Sequence, residues 1–128
     1  MIGTKYLMAG VAIIGLLLCG CDQSQRRLSG GYSLKRFDAG GTSYYVTASG
    51  EAINGGGIFD GTVQDIGWNQ DWILARITRL YQGDSNGWYV LDLKTSRIAG
   101  PFPDADLKTN LAFSSIKTVR PAEVFAGK

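Results

Sequence analysis

The chain has 128 residues, with 13 basic and 11 acidic side chains. That length suits one domain, and the near-balance of charge gives no basic patch for nucleic acid. It contains no histidine, which excludes Ser-His triads and removes the usual general base and the usual zinc ligand.

The first element is a leader. Lys5 precedes an uncharged apolar run from Tyr6 to Leu18. A basic start and a short apolar run form the pattern of an export signal. The run is short for crossing a hydrocarbon core that needs about 20 apolar residues. It ends in Leu18-Cys19-Gly20-Cys21, which resembles the lipobox of bacterial lipoproteins. The resemblance implies cleavage between Gly20 and Cys21, diacylglycerol on the Cys21 sulfur and acylation of the new amine. Residues 1–20 are then a removed signal. It also implies that Asp22 acts as a sorting residue, holding the protein at the inner membrane, facing the periplasm, in enteric-type Gram-negative cells. The plainer alternative is an uncleaved anchor ending in two ordinary cysteines. A Cys19–Cys21 disulfide is disfavoured by geometry.

Residues 21–31 read as a lipidated, flexible tether, because Asp22 to Gly31 is polar and rich in Ser, Gln and Gly. Arg26-Arg27 and Lys35-Arg36 either touch anionic headgroups or lie in solvent. The globular domain is expected over residues 32–128.

Most of that domain reads as strand. Tyr32–Phe37 and Ser43–Thr47 flank Gly40-Gly41, a hairpin signal. Thr62–Trp68 is a third strand. Asp71–Leu80 is a fourth, with Ile73, Ala75 and Ile77 toward the core, although a helix is the alternative there. Trp88–Leu93 is a fifth, after a turn-forming loop from Gln82 to Gly87. Lys94–Arg97 turns and Ile98 continues briefly, until Gly100-Pro101-Phe102-Pro103 ends the segment. Asp104–Phe113 then reads as one helix with an acidic first turn, packing Leu107 and Leu111 on the sheet. Ile116–Val119 is a candidate last strand, and Pro121–Phe125 a tail turn. The fold class is α+β, mainly β: an antiparallel meander of about five to seven strands with one late helix.

Four segments occur in a recurring order: Ile66-Gly67-Trp68-Asn69, Trp72-Ile73-Leu74-Ala75-Arg76, Gly87-Trp88-Tyr89-Val90-Leu91-Asp92 and Ile98-Ala99-Gly100-Pro101-Phe102. Over Val63 to Leu111 the chain resembles a group of small uncharacterised bacterial lipoproteins whose shared domain has no assigned function.

Candidate sites are few. Glu51–Gly61 is glycine-rich, but it lacks the Gly-Lys-Ser/Thr ending of a phosphate loop and reads as a mobile surface loop. Asp84-Ser85-Asn86-Gly87 resembles a fragment of a calcium loop without its remaining ligands, although Asp92, Asp104 and Asp106 could converge on it. No metal, no cofactor and no catalytic residue is therefore expected. Trp72 and Trp88 are expected to be exposed on the second face of the sheet, as a possible partner surface. The leading expectation is a non-catalytic interaction module in the envelope, accessory or immunity-type. It would be held to the membrane through lipid on Cys21 and bind an envelope protein. The alternative is binding of cell-wall glycan, and last comes a hydrolase using Glu51 with Asp60 or Asp65.

Overall fold

The computed structural model describes residues 24–49, 56–79 and 85–126. Cys21, Asp22 and Glu51 lie outside them.

The chain is mainly β, with two antiparallel sheets and three short helices among the described residues. The first sheet holds β1 (Gln25–Arg27), β2 (Tyr32–Phe37) and β3 (Ser43–Ala48) in sequence order. The second holds β4 (Thr62–Trp68), β5 (Trp72–Thr78), β6 (Gly87–Asp92) and β7 (Arg97–Phe102), again in sequence order. The expected meander is thus split in two.

The split follows from which side chains must be covered. Leu34 and Val46 stand opposite each other on β2 and β3, fully buried. They share a core with Val63, Ile66, Ile73, Ala75, Ile77, Tyr89 and Leu91 of the second sheet. Alternation on β5 therefore works as expected: Ile73, Ala75 and Ile77 point inward as a strand, not a helix. Phe59 enters the same core and is 1% exposed, while the Ile58 amide donates to the Val46 carbonyl at 2.8 Å. The described part of the glycine-rich stretch, residues 56–61, is accordingly packed against the sheets rather than a free surface loop.

Three boundaries differ from expectation. Gln25–Arg27 is not tether: it pairs with β2, Arg26 opposite Leu34, so the folded unit begins before Tyr32. β7 runs through Gly100-Pro101 to Phe102. It lies at the end of its sheet, where proline's missing N–H breaks no ladder. The expected single helix is broken into α1 (Asp104–Thr109) and α2 (Leu111–Ser114). Asn110 has an extended ψ of 119° and its side chain accepts the Ala112 amide at 2.8 Å, starting a second helix. The register turns with it: Phe113 packs inward and Leu111 is 90% exposed.

The C-terminal segment closes the molecule. The expected last strand over Ile116–Val119 reduces to one isolated backbone bridge, Val119 with Ile66 at 2.8 Å in each direction, and the expected tail turn is instead a further helix. α3 (Pro121–Ala126) then sets Phe125 under the guanidinium groups of Arg26 and Arg36, at 4.8 and 5.2 Å from the ring centroid.

Candidate functional site

The second face of the four-stranded sheet is the side away from the shared core. Leu74, Trp88 and Val90 form a second apolar cluster there, covered by Leu107 of α1 and by Ile116, with Trp72, Phe102 and Phe113 packed at its margins. The cover is incomplete. A cleft of about 530 Å³ opens between β4–β6 on one side and α1, α2 and residues 114–118 on the other.

Its polar groups are set by local backbone features. β4 carries a bulge between Val63 and Asp65, so that Asp65 rather than Gln64 stands opposite Arg76 of β5. Arg76 Nε donates to Asp65 Oδ2 at 2.6 Å, and Nη2 of the same guanidinium also reaches that oxygen. The Asp65 side chain is 22% exposed and that of Arg76 43%, so the pair contributes at most about 1 kcal/mol after screening by solvent. Asp104 opens α1 and accepts the Trp88 indole N–H through Oδ1. Lys108, one turn later, is exposed on the cleft wall and enters no ion pair among the described residues. A β-carbon on Gly67 would stand 2.7 Å from the Lys117 carbonyl oxygen and 2.9 Å from Thr118 Cγ2. The segment that closes the cleft therefore runs directly against β4.

The floor is apolar, and both carboxylates are engaged, one by a guanidinium and one by an indole. This arrangement can receive an apolar side chain beside a polar or charged group. Each carboxylate is engaged through one oxygen, Asp65 through Oδ2 and Asp104 through Oδ1.

The sequence candidates are distributed as follows. Trp88 lies on the expected face but is 8% exposed, because α1 covers it and Asp104 takes its N–H. Trp72 is half-buried, edge-on to Phe113 with centroids 4.9 Å apart. The expected exposed aromatic row is therefore replaced by an aromatic seam under short helices. Asp65 lies in the cleft, whereas Asp60 is exposed in a turn at φ 55°. Asp92 accepts the Lys94 amide at 2.9 Å within the β6–β7 turn. Among the described residues, no group of three or more His, Cys, Asp or Glu side chains is placed to hold a metal ion.

Sequence reasoning missed Asp65–Arg76 as a pair, because simple alternation puts Gln64 in that register. It also missed Lys108, Phe113 and Ile116 as cleft residues. Asn110, a strong helix N-cap type, was the signal that could have divided the helix and brought Phe113 inward.

No family model, no curated protein and no solved structure matches the chain.

Proposed function

We propose that this chain is a membrane-anchored envelope lipoprotein, held through lipid on Cys21, whose domain is a non-catalytic protein-interaction module of accessory or immunity type. The cleft beside α1 and α2 carries the interaction reading. It has an apolar floor of Leu74, Trp88 and Ile116, and its carboxylates are engaged by Arg76 and Trp88. Leu111, on the helix that contributes Phe113, is 90% exposed. A concave apolar patch with a polar rim suits a partner's side chain. The absence of histidine from the sequence supports a non-catalytic role. The lipobox resemblance supports the anchor. Among the described residues, no helix is long and apolar enough to cross a membrane. Glycan stacking needs an open ring face; with Trp88 buried, Trp72 is the one of the two expected tryptophans left to support that reading.

The test is affinity capture of the tagged full chain from native-cell envelopes, beside the Leu111→Asp variant. One envelope protein should be recovered saturably with the wild type and lost more than about tenfold with the variant, the factor for 1.4 kcal/mol. Equal recovery with both chains would remove the α2 face from the interface. No saturable partner would overturn the module reading.

A further inference from the structure

The strand β1 changes how the domain can sit relative to a lipid on Cys21. It begins at Gln25 and is locked in register, Gln25 opposite Lys35 and Arg27 opposite Ser33. Four residues at roughly 3.3–3.6 Å each let Cys21 stand at most about 14 Å from Gln25, and about 21 Å from Arg27. A free tether to Gly31 would reach about 35 Å. The headgroup layer is roughly 5–8 Å deep on each side of the hydrocarbon. The short link therefore limits how far β1, and the turn that follows it, can stand from the bilayer, and leaves both within reach of the headgroups.

That turn has the chemistry of a phosphate site. Gly30 and Gly31 both have positive φ, 61° and 84°, and the Tyr32 amide donates to the Ser29 carbonyl at 3.1 Å. This is a tight hairpin that only glycines adopt freely. The Gly30 and Gly31 amides donate to no described backbone group. Together with Ser29, Ser49, Arg27, Leu28 and Tyr32 they line a recess of about 260 Å³, and among the described residues no acidic side chain lines it. The Ser49 hydroxyl is fixed against that of Ser33 at 2.8 Å. Arg27 is exposed and enters no ion pair among the described residues. Arg26 and Arg36, by contrast, lie over Phe125. One cation, two hydroxyls and two backbone amides around a small recess suit a phosphate ester.

We propose that the β1–β2 turn binds the phosphate of an anionic phospholipid in the membrane that holds the lipid on Cys21, with Arg27 as its cation. This rests on the lipid-anchor reading above and adds an orientation: the turn faces the bilayer.

The experiment uses the full-length mature protein from cells, reconstituted in two vesicles, phosphatidylcholine alone and phosphatidylcholine with phosphatidylglycerol. Amide exchange of residues 28–31 is read by mass spectrometry, along with the intact mass. Exchange should be about fivefold slower in the anionic vesicles, the factor for one base at an anionic surface. Arg27→Gln should erase the difference while exchange across β4–β6 stays unchanged. Equal exchange in both vesicles would overturn the headgroup site and leave the anchor standing. Inorganic phosphate giving the same protection in phosphatidylcholine vesicles would assign the recess to soluble phosphate and overturn the headgroup assignment. An intact mass without lipid on Cys21 would overturn the anchor and this proposal together.

Discussion

At the scale of the residue, Trp88 joins the sheet to the helices. Its ring fills the second apolar cluster and its indole N–H reaches Asp104 at the start of α1. Trp88→Phe keeps most of the apolar burial and removes the donor. It should cost about 1–2 kcal/mol, seen as a lower urea midpoint at unchanged slope. A variant as stable as the wild type would mean that the Trp88–Asp104 bond contributes nothing. The placement of Trp72 and Trp88 on the face opposite Ile73 and Tyr89 was legible from period-two alternation. Their burial was not, because alternation assigns a face and says nothing of what covers it. The Asp65–Arg76 pair was hidden for a related reason: one extra residue in β4 changes which side chain meets the partner, and no residue type marks that bulge.

At the scale of the element, the strands were readable and the helices only partly. β2 through β6 are rich in β-branched and aromatic residues between glycine and Asx turns, and each lies within a residue or two of its expected span. β1 was missed because Gln-Arg-Arg carries no apolar signal of its own; its ladder to β2 forms it. Leu107 and Leu111, four apart, point to one helix, and Asn110 interrupts that spacing. Two substitutions separate the roles. Asn110→Ala removes the cap of α2 and should cost about 1 kcal/mol of stability. Leu111→Asp, at an exposed position, should change stability by no more than about 0.5 kcal/mol while weakening partner capture. Both are read in the same urea titrations. A large destabilisation by Leu111→Asp would mean that the side chain packs in solution and is not held out for a partner.

At the scale of the whole molecule, the mainly antiparallel β fold followed from composition and patterning, but its division into two sheets did not. Hairpin-linked strands look alike in sequence whether the ladder continues or stops, and the break falls where Phe59 turns into the shared core. The cleft was still less legible, because it is assembled from β4, β5, β6, α1, α2 and the return of the chain toward Val119. We propose that a protein partner's side chain enters this cleft, and the claim is open to direct test. The most direct measurement places a photoreactive residue at Lys108, on the cleft wall, and another at Thr95, in the exposed β6–β7 turn, in full-length protein expressed in native cells. Illumination should join one envelope protein to the chain from position 108 and not from position 95, with the adduct lost when Leu111→Asp is added. The same adduct from both positions, or none from position 108, would contradict the claim.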